Sequence, residues 1–365
     1  MNQKRTGVVL SIMLSVLLIL SATEAFPKSW KVEWQKILAA AKKEGKVVVA
    51  GPPGQSYRDA LSQFGKAYPD IQIEYVGLQG RDFAPRIVQE REAGQFLWDV
   101  HVGGASSIMN IMLPKGVLDP LQPNLFLPEV LDSSKWLGGF KDSWMEKDGK
   151  YIFGFVGTLY DSVHVNRDVV PQAEFNKPED LWDPKWKGKI VWHDPRGAGN
   201  GSIQASVIYR SFGEDALKKL FKDQQSVVTA DYRQEVEWLA RGRYPLAIGV
   251  LDSVLQQFQK QGVGKNIVPL KHEKLSSIVS AFGNIVAINK PPHPNAAKVF
   301  MNWVLSKEGQ SAWAKATGEN SRRVDVPPGD PEMLPNPKVQ YWQGQKEEGQ
   351  DLKIKVQAIV KDILQ

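Results

Sequence analysis

The chain of 365 residues contains no cysteine. That absence excludes a disulfide framework, a CxxC redox pair and a lipid anchor on cysteine, so packing alone must hold the fold. Familiar catalytic signatures are missing as well. There is no G-x-S-x-G elbow, no HExxH and no Walker A loop, and the glycines at 197–201 lack dinucleotide-fingerprint spacing. The five histidines (His101, His164, His193, His272 and His293) are scattered, with no pair at a metal-ligand interval. No block of like charge exceeds three residues, which argues against a nucleic-acid footprint. No repeat, low-complexity tract or Gly/Ser linker divides the chain. Beyond Leu20, no apolar run reaches the roughly 20 residues that a spanning helix needs.

One apolar run is present, at the start. Lys4 and Arg5 precede an uncharged stretch from Val8 to Leu20, and small residues follow at Thr23 and Ala25. This is the three-part layout of a secretory signal, cleaved after Ala25. A membrane-spanning anchor would require a longer run. Residues 26–365 would then be an exported, periplasmic protein of two domains' length. With 42% apolar and 10% aromatic residues, the chain can bury a sizeable core. Removing Lys4, Arg5 and Glu24 leaves 44 Lys and Arg against 39 Asp and Glu, a mild bias toward anionic ligands.

Hydrophobic spacing alternates between two periods. Trp34, Ile37, Leu38 and Ala41 recur at helical spacing up to Gly45, and KVVVAG then reads as a buried strand. Helix through Leu61, Phe64 and Ala67, strand IQIEYVG, helix from Phe83 to Ala93 and strand DVHVGG continue the alternation. Such βαβ units imply α/β architecture with parallel sheets. A proline-rich stretch, 114–150, separates this half from a second one. There GKIVWHDP is a strand, SIQASVIYRSFG a helix, and VEWLARGRYPLAIGV a helix, turn and strand. SSIVSAFGNIVAINK reads as paired strands, NAAKVFMNWVLS as an amphipathic helix, and 351–364 as a final helix.

Three glycine-rich loops follow strand ends, where α/β sheets bind ligands. The first contributes Gly51, Gly54, Gln55 and Ser56, the second Gly104, Ala105 and Ser106. The third, entering a helix, contributes Arg196, Gly199, Asn200 and Ser202. Free N–H groups at a helix start cradle anions, and Arg196 would add a bidentate donor as the main clamp. Ordinary capped turns use the same residues. Three such loops on one strand-end edge point to a cleft.

Four segments carry a family resemblance: WQKILAAAKKEGKVVVAG, FLWDVHVGGASS, GKYIFGFVGTLYDSVHVNRDVV and HPNAAKVFMNWVLSKEGQSAWAKATGENSRRVDV. In this order they resemble the type II periplasmic substrate-binding proteins of ABC transporters, the group that includes ferric-ion, polyamine, thiamine and phosphonate binders. The resemblance implies two interleaved three-layer α/β lobes joined by crossover strands and closing on a ligand by hinge motion. Carried over, residues 26–156 plus 282–320 form one lobe and 157–281 plus 321–365 the other. The crossovers lie near Val156-Gly157-Thr158 and Ser280-Ala281-Phe282. The implied partners are a small-molecule ligand and an inner-membrane ABC permease with its ATPase. No nucleic acid or cofactor is expected, and the protein is expected to be a monomer.

Ligand identity transfers poorly. Ferric binders of the group usually carry adjacent tyrosines after the strand that reads PLAIGV here, whereas this chain has Leu251-Asp252-Ser253-Val254. Tyr57, Tyr160, His193 and Asp252 could hold a hard cation, but without the tyrosine pair Fe(III) loses its best anionic ligands. Thr158, Tyr160, Asp252 and Ser253 join the loop residues as candidate ligand contacts. The leading expectation is a non-enzymatic receptor for a small anion. A ferric-ion receptor, a periplasmic sensor module and an unrecognised exported enzyme remain alternatives. Secreted protein should begin at Phe26 by intact mass; retention of 1–25 in the membrane fraction would restore the anchor reading.

Overall fold

The computed structural model describes residues 30–365 apart from Ala198 and the side chain of Ser253. The signal reading of 1–25 lies outside the described residues. Among those described, no helix is long and apolar enough to cross a membrane.

The first half builds one sheet. Its parallel strands are β1 (Lys46–Gly51), β2 (Gln72–Gly77) and β3 (Val100–Gly103), with short strands β4 (Leu118–Asp119) and β5 (Phe153–Gly154) further along. Helices α1 (Trp30–Glu44), α2 (Gln55–Ser62), α3 (Phe64–Ala67), α4 (Gly80–Glu92), α5 (Ala105–Ser107) and α6 (Pro128–Leu131) connect them. α5 runs directly into a π-helical turn at Ile108–Met112. The chain then crosses through β6 (Thr158–Asp161) into β7 (Val163–Asn166). The second sheet adds β8 (Ile190–His193), β9 (Val227–Thr229), β10 (Leu246–Ile248) and β11 (Ile267–Pro269). Its helices are α7 (Asn200–Phe212), α8 (Glu214–Lys218), α9 (Tyr232–Ala240) and α10 (Asp252–Lys260). β12 (Ser276–Val279) leads back to β13 (Asn284–Ile288), followed by α11 (Pro294–Leu305), α12 (Lys307–Thr317) and α13 (Glu347–Ile363).

Strand order is β2-β1-β3-β13-β4 in the first sheet, where β5 also pairs with β13, and β11-β7-β10-β8-β9 in the second. Each sheet is covered on both faces, which is why its central strands are continuously apolar. In the first, Val47, Val49, Val100 and Val102 pack in one cluster with Trp34, Phe64 and Trp303. Ala50 and Val286 fall in another with Phe83, Ile87 and Ile108. In the second, Ile190, Trp192, Leu246 and Ile248 pack with Ala205, Val356 and Val360 on one side. Val191 and Ala247 pack with Val236, Leu239 and Leu255 on the other. The α/β reading with three-layer lobes therefore holds.

The structure differs from the sequence reading at SSIVSAFGNIVAI. The two segments are strands, but they do not pair with each other. β12 pairs antiparallel with β6, from Ser276 opposite Asp161 to Val279 opposite Thr158. β13 instead enters the first sheet beside β3. A turn at 280–283 redirects the chain from one lobe to the other, which hydrophobic alternation alone cannot reveal. Arg322 and Arg323 belong to the stretch the sequence reading groups with the second lobe. Both are buried against the first, bonding Leu137 and Glu129 among others.

Long-range capping ties the first lobe's two chain segments together. Glu44, closing α1, accepts the α11 amides of Asn295 at 2.9 Å and Ala296 at 2.7 Å. A carboxylate at these orphan donors is worth about 1–2 kcal/mol. Glu44→Ala should lose about that much stability in urea denaturation, and Glu44→Gln less. An unchanged midpoint in Glu44→Ala would remove this account of how α11 docks.

Candidate ligand-binding site

The strand-end loops of both lobes abut the β6–β12 ribbon from opposite sides. On the first-lobe side, Gly51 leaves β1 where a Cβ would lie 2.4 Å from the Tyr75 ring. Gly54 has φ 128°, which favours glycine, and begins α2 without a side-chain cap. Gln55 is exposed and donates to Asp59 at 2.7 Å, and Ser56 is half-buried beside it. Tyr57 on the same helix donates to Glu319 at 3.0 Å, and Trp313 donates to the other oxygen at 2.8 Å. The Tyr57 ring meets Phe282 edge-on at 5.6 Å. Phe282 in turn lies beside Gly104, the uncapped start of the helix carrying buried Ala105 and exposed Ser106. Burial raises the Glu319 carboxyl above its ordinary range, against the pull of the two donors. Burial, then the neighbouring carboxylate, raises Tyr57, so its phenol stays a neutral donor.

On the second-lobe side one residue organises the wall. Asn200 donates its side-chain amide to the Tyr160 hydroxyl at 2.8 Å and to Val250 O at 3.1 Å. Its backbone N–H donates to the Tyr232 hydroxyl at 3.0 Å, and Tyr160 itself donates to Val250 O at 2.6 Å. Burial first, and Asp252 second, hold the Tyr160 phenol well above its ordinary range. The Tyr232 ring stacks on His193 with centroids 3.5 Å apart. Behind it, fully buried Glu235 lies 3.5 Å from His193 Nδ1. Asp252, at the start of α10, faces His164 at 3.2 Å.

The candidates from the sequence thus fall into different surroundings. Tyr160, Asn200 and Gly199 come together at the ribbon, with Asp252 nearby. Arg196 is engaged by its neighbour: its Nε and Nη2 donate to Asp194 at 3.0 and 2.8 Å, and its amide donates to the same carboxylate at 2.9 Å. Ser202 is buried, and its hydroxyl donates back to Gly199 O at 3.0 Å. Thr158 accepts the Asn320 amide at 3.0 Å and so serves the crossover. Sequence reasoning missed Tyr232, Phe282 and Glu319. Tyr232 follows β9, so the rule that flagged the other strand ends could have found it. Glu319 is 262 positions from Tyr57, a pairing no local spacing encodes. Across the cleft, among the described residues, no hydrogen bond joins the loops at 51–57 and 104–107 to those at 194–200, 230–232 and 250–254.

Two covered sheets joined by crossing strands, with loops gathered at the junction, form a two-lobed architecture. The family model described as bacterial extracellular solute-binding protein matches residues 59–339. The chain belongs to that family. Among solved structures, it resembles an ABC transporter protein from Clostridium perfringens at 18% identity, TM-score 0.67, with 87% of this chain and 100% of that one covered. It also resembles a Mannheimia haemolytica ferric iron-binding protein A in an open conformation, at 15% identity, TM-score 0.66, covering 87% and 98%. A Haemophilus influenzae protein described as uncharacterized is 23% identical over 256 residues, 68% of this chain and 70% of its own length. At these identities the structures support the two-lobed fold. The family's members are solute-binding proteins that work with ABC permeases.

Glu319 gives this wall a pH signature. Its folded-state pKa is raised, so the stability it contributes is complete below the unfolded carboxyl pKa. That contribution fades as pH rises through the folded value. Glu319→Gln can keep both contacts, its Oε1 accepting from Trp313 and its NH2 donating to the Tyr57 hydroxyl, and it removes this slope. The stability of wild type relative to the variant should therefore fall from pH 4 to 7 in denaturation series. A gap independent of pH would show that the carboxyl titrates normally.

Proposed function

We propose that this solute-binding protein captures a small anion between the two loop sets and delivers it to an inner-membrane ABC permease driven by its ATPase. One observation carries the reading: Gly54, Gly104, Gly199 and Leu251 start helices on both sides of the ribbon, and none supplies a side-chain cap. Apart from the Asn200 amide, which Tyr232 accepts, first-turn N–H groups without a side-chain cap prefer an anionic oxygen, and the positive helix ends add to that preference. With Arg196 answered by Asp194, the ligand's charge would be met mainly by these amides and by neutral hydroxyls. Tyr232 accepts the Asn200 amide and keeps its own hydroxyl hydrogen to offer. Capture would bring the loop sets together by rotation about the ribbon.

The test is a thermal-shift screen of the chain against citrate, other carboxylates, phosphate, phosphonates, polyamines and Fe(III). An anion at a hundred times its dissociation constant should add about 2.7 kcal/mol of stability, and small-angle scattering should show a reduced radius of gyration. A polyamine or Fe(III) as the sole stabilising compound would overturn the anion reading.

A further inference from the structure

The chain returns from the second lobe to the first through a tight turn. Gly283 N–H donates to Ser280 O at 2.7 Å, closing a turn between β12 and β13. Ala281, its second residue, has φ +43°, a left-handed conformation that a Cβ disfavours. The side chain of Gln345 holds it there. Its Oε1 accepts the Ser280 amide at 2.5 Å, the Ser280 hydroxyl at 2.9 Å and the Ala281 amide at 3.0 Å. The next residue, Phe282, carries the turn into the cleft wall against Tyr57 and Gly104.

Gln345 is itself anchored to both lobes. It lies two residues before α13, whose first turn docks on the first lobe. There Glu347 N–H donates to Met145 O at 2.9 Å, Lys147 N–H donates to Glu347 at 2.8 Å, and Asn110 donates to Gln350 at 3.2 Å. Further along, Val356, Val360 and Ile363 sit in the second-lobe core, and Gln357 donates to Gly197 O at 2.6 Å. A side chain carried by an element that straddles the lobes therefore grips a strained crossover residue. The residue after it faces the ligand cleft.

We propose that the Ser280–Gly283 turn is a catch that keeps the lobes apart until a ligand presses on Phe282, with Gln345 holding the catch. Closure lets Ala281 leave the left-handed region and breaks the Gln345 bonds. The strain thus favours closing while the three bonds oppose it. This rests on the hinge closure proposed above and adds the element that sets its threshold. Ligand contact at Phe282 and release at Ala281 are then one local rearrangement, which gives the ligand the differential affinity that a population shift requires.

The two sides of this balance can be altered separately. Gln345→Ala removes the bonds and should raise the closed-to-open ratio about tenfold. Ala281→Gly relaxes the strained conformation and should lower that ratio by about threefold. Because the chain has no cysteine, Lys66→Cys and Lys260→Cys, exposed positions in opposite lobes, accept spin labels cleanly. Pulsed-resonance measurements on the unliganded full chain should show an increased shorter-distance population in Gln345→Ala and only the open distance in Ala281→Gly. Distances unmoved in Gln345→Ala, or an increased shorter-distance population in Ala281→Gly, would overturn the catch. These distances require no ligand, so failure of the anion reading would show in the binding screen and leave this comparison intact.

Discussion

The structure depends on the four-residue pairing of β6 with β12. The chain crosses between the lobes three times; the two strand crossings are held side by side in one antiparallel ribbon, and α13 makes the third. That restricts relative motion of the lobes to bending and twisting about the ribbon. It also fixes where the cleft must be, since β3 ends beside the incoming β13 and β10 ends beside Tyr160. The loops whose helix starts lack a side-chain cap are gathered there by the topology, with no dedicated scaffold. Asn320 reinforces the junction from outside, offering its amide to Thr158 and its carbonyl to the Gly157 amide at 2.8 Å.

Charge in the walls of this cleft is largely spent internally. Arg196 answers Asp194, Asp252 faces His164, and Glu235 lies behind His193. What remains for a ligand is mainly neutral hydrogen-bonding capacity, in backbone amides and in phenols that burial keeps protonated. A neutral wall of this kind discriminates by geometry more than by net charge. A fixed cation rewards any anion nearby, whereas oriented N–H groups reward oxygens at particular positions. Such a wall also costs less to leave empty, because uncharged donors can be hydrated in the open state without stranding a buried charge.

The strands were legible because a sheet covered on both faces demands uninterrupted apolar runs, and KVVVAG, VHVG and IVWH meet that demand locally. One helix end was legible at Gly45, which has positive φ. The crossovers were legible only through the family resemblance. Nothing in SSIVSAFGNIVAI says that its two halves serve different sheets, because alternation reports burial and not partner. The site was half legible for the same reason. Strand-end loops are a local feature, while the Tyr57–Glu319 and Ser280–Gln345 bonds join positions 262 and 65 residues apart. The Arg196–Asp194 pair was different in kind: two residues apart, it was open to inspection. A carboxylate that close competes for the guanidinium before any ligand arrives.

That competition bears on how the family can change ligands while keeping its fold. The two cores and the capping of α11 by Glu44 make no contact that a ligand must share, so they constrain the loops' positions and not their chemistry. Within the second lobe, Asn200 is the point of greatest leverage. It links Tyr160, Tyr232 and Val250 through side chain and backbone together, and therefore sets where three donors or acceptors point. A change at one end of that network moves the others, whereas a change at solvent-facing Gln55 moves only its bond to Asp59. On the site proposed above, ligand choice would reside less in any one charged residue than in the hydrogen-bonded frame that orients neutral ones.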